Sequence, residues 1–359
     1  MKYPKIICID GVDGSGKKTV SNIVAQKLTN RGFRVARISP PFYDTKSGEL
    51  VAEYLTQGYG DIRDRKLASL IYSVDRNIYF KNHFNEIFKC GQFDFVLYDR
   101  NWLSNLFFQT TLHLQTEDDE TLFKHPISAS DISIDCARFN TRYDEKSYLS
   151  LADMHDILIT GVEHDETYLE ALACIYKHQR RMMIRDHINF ILSVEILPWK
   201  LTNDYGENEA FTKLCDICNI VLTPQMEIGS CVLHDNMMKR YDGDLSKFDR
   251  NERSKVYLDS VIENIHWIHA SMNDIFNEPL LVYNKLPIRT QLYLAARTAK
   301  LKPVFASEDR ATYFLGNQSA FNYDIIHTTS DVDKKQRSID DIVGDVWVNI
   351  SKKCLFDDV

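Results

Sequence analysis

Lys5-Ile-Ile-Cys-Ile-Asp-Gly-Val-Asp-Gly-Ser-Gly-Lys-Lys-Thr19 decides the reading of this chain: an apolar run enters a glycine-rich turn and ends on lysine. Gly11, Gly16 and Lys17 meet the phosphate-loop spacing G-x-x-x-x-G-K-[ST], but Lys18 holds the final hydroxyl position and Thr19 follows one residue late. Gly11, Gly14 and Gly16 open backbone angles that let successive N–H groups converge on an anion. A helix beginning near Lys17 adds the positive end of its dipole. The Lys17 ammonium reaches the outer phosphates. A hydroxyl at position 18 would normally touch Mg²⁺, and a protonated lysine cannot.

The context that the motif demands lies on either side. Ile6 to Ile9 read as a buried strand, and Val20, Ile23, Val24 and Leu28 recur at helical spacing before Arg31-Gly32. Phe33 to Ile38 read as the next strand, which completes a right-handed crossover on a parallel sheet. Further along, Phe93–Tyr98, Asn189–Ile196, Asn219–Thr223 and Tyr323–His327 read as strands. Helices are expected over 64–90, 102–112, 165–187, 226–241, to about residue 272 and over 339–350. Strands alternating with helices, phosphate loop first, predict a doubly wound α/β fold with a parallel sheet and helices on both faces. Ligands in such sheets sit beyond the carboxyl ends of the strands, where Asp10, Asp99 and Arg100 fall. We expect one α/β domain over residues 1–359, carrying insertions at 113–187 and 278–322.

Bulk properties narrow the class. The chain has 359 residues, 44% of them apolar, and a formal net charge of −8, which disfavours a protein that coats polymeric nucleic acid. No long apolar run or signal-peptide core is present, so a cytoplasmic protein is expected, with no membrane partner. Cys215 and Cys218 form one C-x-x-C without a second pair at zinc spacing, and read as reduced thiols.

Three further signals join the loop. Asp99-Arg100 leaves a buried strand, where an arginine can clamp phosphates bidentately and an acid can position Mg²⁺; a plain strand-end ion pair is the competing reading. Tyr72 and Arg76 stand four apart on one helix face, suited to stacking on a base and bonding its edge, or to ordinary packing. Lys239, Arg240, Lys247 and Arg250 line a charged segment suited either to closing over a nucleotide or to a solvated connection.

Ile9–Lys17, Tyr43–Gly48, Tyr72–Arg76, Asp99–Asn105 and Asp249–Glu252, in this order, resemble the thymidylate kinase family. The resemblance implies transfer of the ATP γ-phosphoryl group to a deoxynucleoside monophosphate, typically dTMP, with Mg²⁺. ATP would lie on Gly11, Asp13, Gly14, Ser15, Gly16, Lys17, Lys18 and Thr19. Catalysis would rest on Lys17, Asp99, Arg100, Arg240 and Arg250, with Asp99 at the metal. The acceptor would meet Asp13, Tyr43, Tyr72, Arg76, Arg100, Ser104, Asn105 and Gln109. A homodimer is the family's common state. The chain departs from the family pattern at Lys18, at Tyr43 where many relatives carry arginine, and at Gly14 where some carry a catalytic arginine. Two alternatives stay open: a nucleotide-binding protein impaired in catalysis, and a deoxynucleoside kinase.

Overall fold

The elements of the computed structural model are β1 (Lys5–Gly11), α1 (Lys17–Asn30), β2 (Val35–Ile38), α2 (Lys46–Thr56), α3 (Arg65–His83), β3 (Phe95–Asp99) and α4 (Trp102–Gln109). These are followed by β4 (Ile217–Thr223), α5 (Gly229–Arg240), α6 (Lys255–Asn277), β5 (Asp324–His327) and α7 (Ile339–Ile350). The structure describes residues 4–56, 65–88, 91–111, 180–181, 184–185, 187–188, 190–191, 217–226, 229–244, 255–277, 321–330 and 335–355. The chain divides into two compact units, one of residues 1–113, 187–270 and 316–359, the other of 114–186 and 271–315.

In the first unit the five strands form one parallel sheet in the order β2-β3-β1-β4-β5. This is a doubly wound parallel sheet. β1 is central, so its residues are covered on both faces and read as a continuous apolar run. Alternation along the strands sorts the two faces. Ile7, Ile9, Leu97, Ile220, Leu222 and Ile326 pack with Val20, Val24 and Leu28 of α1 and with Ile342, Val346 and Ile350 of α7. On the opposite face Asp10 is joined to α4, and Tyr98 stacks near Phe88, which lies in a π-helical turn continuing α3. α6 is seated on α4 by Asn264, whose Nδ2 donates to the Phe107 carbonyl at 3.0 Å and to Thr110 Oγ1 at 2.9 Å. Helices therefore cover both faces.

The expected elements agree with the described residues except at one place. Phe190 and Ile191, read as part of a strand over Asn189–Ile196, are helical. Ile188 and Ile191 are both buried and three apart, a helical spacing. A short apolar run cannot by itself be told from a strand. In the second unit the described residues are helical, with Ile184, Met272 and Ile275 buried. Of the insertions expected at 113–187 and 278–322, residues 113–179 and 278–320 lie outside the described residues. No helix among the described residues is long and apolar enough to cross a membrane.

Ile9 sits in the central strand with no exposed surface. Ile9→Ala should lower the unfolding free energy by about 2–5 kcal/mol in urea titration, because a large side chain is removed from a filled core. A loss well under that range would mean that the sheet is not packed as described.

Candidate active site

The loop after β1 is shaped by its glycines. Gly11 has φ +142°, and a Cβ there would stand 2.0 Å from the Leu222 carbonyl oxygen of β4. Gly14 has φ +79°, and a Cβ there would stand 2.7 Å from the Leu233 carbonyl oxygen of α5. Asn236 of α5 fixes the same spot, donating from Nδ2 to the Gly14 carbonyl at 3.1 Å. Gly16 is left-handed and gives α1 no side-chain cap. The first turn of α1 carries no acid, so its unpaired N–H groups and its dipole are available to an anion.

Three charges gather at this loop. The buried Lys17 ammonium arches back to the Val12 carbonyl, 2.7 Å away, and to Asp13 Oδ1, 3.4 Å away. Arg100, at the carboxyl end of β3, donates to the same Asp13 Oδ1. Burial alone would raise the Asp13 carboxyl, but the Arg100 and Lys17 charges outweigh it and hold it at about 2. That stabilisation is present above the ordinary value of 3.8 and lost as pH falls through about 2. Burial and then repulsion by Arg100 lower Lys17 to about 8, against the pull of Asp13. Asp99 is buried beside the pair, with Ser39 Oγ at 3.5 Å from its Oδ2. Arg100 itself has φ +74°, a strained conformation for a branched-out side chain that costs on the order of 1–3 kcal/mol.

The other expected residues fall in several places. Lys18 and Thr19 are exposed on the first turn of α1. Ser15 is fully buried, and its Oγ has no hydrogen-bond partner. Ser104 donates to Asp10 Oδ1. Asn105 is buried and donates from Nδ2 to the Ser69 carbonyl at 3.1 Å and to Ser73 Oγ at 3.3 Å, tying α4 to α3. Gln109 ends α4, and is buried. Tyr72 is half-buried, its ring edge-to-face with Tyr54 at 6.5 Å, while Tyr43 is exposed. Arg76 stands one turn beyond Tyr72 on α3 and is half-buried. Arg240 lies over the Tyr241 ring, 5.3 Å from its centroid. It stands one turn beyond Asn236, on the side of α5 that meets the loop. Arg250 lies outside the described residues.

The partners of several residues near the site are not legible in the sequence. Asp75, inside the Tyr72–Arg76 motif, organises the segment that leads into α2. It accepts from the Phe42 N–H at 2.9 Å and from Ser47 Oγ at 2.8 Å. Asp10 accepts from the Asn101 N–H at 3.3 Å as well as from Ser104. Asn101 caps α4 by accepting from the Leu103 N–H at 2.9 Å. An acid inside an apolar strand was the available signal for Asp10. Asn236 gave none, since its role depends on a partner 222 residues away.

Residues 9–126 match the family model described as thymidylate kinase. A probable thymidylate kinase of Methanosphaera stadtmanae is 29% identical over 121 residues, 33% of this chain and 60% of the relative. The chain thus spans less than two thirds of that relative's length. Probable thymidylate kinase 1 of Saccharolobus solfataricus is 26% identical over 196 residues, 48% of this chain and 98% of the relative. A solved thymidylate kinase from Candida albicans aligns over 98% of this chain and 92% of its own, at 15% identity and a TM-score of 0.41. The chain resembles the thymidylate kinase family.

With Lys17 lowered to about 8, a polyphosphate bound in the loop above that pH would draw a proton back onto it. Calorimetry of triphosphate binding in buffers of different ionisation enthalpy should show proton uptake above pH 8, and affinity falling as pH rises through that value. Lys17→Arg should abolish the uptake. Binding without proton exchange would remove Lys17 from the site.

Proposed function

We propose that this chain is a cytoplasmic nucleoside monophosphate kinase that moves the ATP γ-phosphoryl group to dTMP or a related deoxynucleotide. The observation that carries this reading is the convergence of Lys17 and Arg100 on Asp13 at a phosphate loop. Two cations, one from the helix after β1 and one from the turn after β3, stand where a donor and an acceptor phosphate would meet. An oxygen of the acceptor phosphate attacks the γ-phosphorus, the bond to the β-phosphate oxygen breaks, and ADP leaves. No covalent nucleophile is needed; alignment and positive charge suffice. The loop amides with Lys17 hold the donor. Arg100 bridges the acceptor and the group in transfer. Asp13 accepts from the acceptor's sugar hydroxyl, Tyr72 stacks on the base, and Arg76, Gln109 and Tyr43 border it. Arg240 and Arg250 supply the charge that no side chain at position 14 can.

Magnesium fits this site in part. Mg²⁺ is usually held by one or two carboxylates plus substrate phosphates, and Asp99 supplies such a carboxylate, whereas Lys18 supplies no oxygen. Among the described residues no group of three or more His, Cys, Asp or Glu side chains is arranged to hold a metal. The ion, when bound, neutralises charge on the phosphates. Exposed Lys18 adds a cation at the same helix end. The segments 113–187 and 278–322 are insertions into the kinase domain in this reading. Leu70, Val74 and Ile78, exposed and four apart along α3, support a homodimer.

A coupled ATP assay across nucleoside monophosphates tests the reading, and no turnover with any acceptor would sink it. Lys17→Ala and Arg100→Ala should each lower kcat/KM by about 10³-fold or more. Lys18→Thr should leave turnover equal or raise it; a loss would give Lys18 a separate role. Val74→Glu should shift sedimentation from dimer to monomer. An unchanged sedimentation coefficient would rule out this face.

A further inference from the structure

Arg100 needs a left-handed backbone to reach Asp13, and nothing in its own side chain favours that conformation. The turn is held from β1 instead. The Arg100 N–H donates to the Ile9 carbonyl at 3.1 Å, and the Asn101 N–H donates to Asp10 Oδ1 at 3.3 Å. The same oxygen accepts from Ser104 Oγ in the first turn of α4. Asn101 in turn caps α4 and meets Asn219 Oδ1 at 3.4 Å, so the turn, the helix start and β4 are one bonded unit.

We propose that Asp10 is a positioning residue for phosphoryl transfer, locking the strained turn that aims the Arg100 guanidinium at the phosphate site. This rests on the kinase reading above. In this role Asp10 acts through the turn, by the bonds that its Oδ1 accepts from Asn101 and Ser104. It is fully buried in the central strand, a place suited to Val or Ile, and its Oδ2 has no hydrogen-bond partner. A buried acceptor left half-satisfied at this point is explained by what its other oxygen holds. An aliphatic residue would pack better but would release Asn101 and Ser104. Burial raises the Asp10 carboxyl, with the Ser104 and Asn101 hydrogen bonds opposing. The role does not need the charge, only an acceptor oxygen at that place.

The test combines structure and kinetics of Asp10→Ala, Asp10→Asn and Ser104→Ala. In a crystal structure of Asp10→Ala, Arg100 should leave the left-handed region and lose Asp13. Its kcat should fall by about a hundredfold, the scale of a misplaced group, while ATP affinity by calorimetry should change far less. Asp10→Asn, which keeps the acceptor oxygen, should recover most of the lost kcat. In an Arg100→Ala background Asp10→Ala should cost nothing further. Retention of the Arg100 turn and its Asp13 contact in Asp10→Ala would overturn the proposal, as would an undiminished loss in the Arg100→Ala background. If Asp10→Ala does not fold, Ser104→Ala is judged by the same criteria. Absence of phosphoryl transfer by the wild-type protein would refute the kinase reading. The Arg100 geometry would still decide the role of Asp10.

Discussion

One carboxylate oxygen, Oδ1 of Asp13, holds the two cations of the site together. Lys17 comes from the helix that follows β1, and Arg100 from the turn that ends β3. Without a negative partner, the buried Lys17 and the half-buried Arg100 would repel, and the lysine is already lowered to about 8 by burial and that repulsion. Asp13 lets the two cations stand side by side with no ligand present. In the proposed kinase reading this arrangement is preorganised, so little of the binding energy is spent on assembling it.

That arrangement depends on the elements behind it. β1 is hydrogen-bonded to β3 on one side and β4 on the other, so the loop and the Arg100 turn share one rigid support. α5 closes the loop from behind through Leu233 and Asn236. This contact explains why position 14 is glycine: any side chain would run into backbone, which does not give way. In the proposed kinase reading a cation for the transferring group then comes from elsewhere, and α5 carries Arg240 one turn past the contact. Position 18 obeys no such limit. It is exposed, so lysine there costs no packing and changes only the charge and the donor atoms presented at the helix end.

Much of the first unit was legible because its signals are local. The apolar run of β1, the glycine spacing and the 3.6-residue period of α1 lie within thirty residues of one another. Helix α7 was readable to its ends for the same reason, with Ser338 capping it. The misreading near Phe190 arose where the same apolar residues satisfy both periods. Asn105 shows the other kind of gap. Its place in a family-like motif suggested a ligand, and its amide is bonded to Ser69 and Ser73 of α3. The pairing depends on how α3 crosses α4, which no local pattern encodes.

The sequence by itself determined the parallel α/β fold, the phosphate loop and the identity of the charges, because these depend on spacing along the chain. The tertiary structure alone decided which charges meet. Asp13 and Arg100 are 87 residues apart, and Asp10 and Ser104 are 94 apart; β1 and β3 bring them together only by pairing side by side. The exclusion of a side chain at Gly14 was likewise decided by α5, from more than two hundred residues away. Distance in space is set by strand order, and strand order is not written in any single segment.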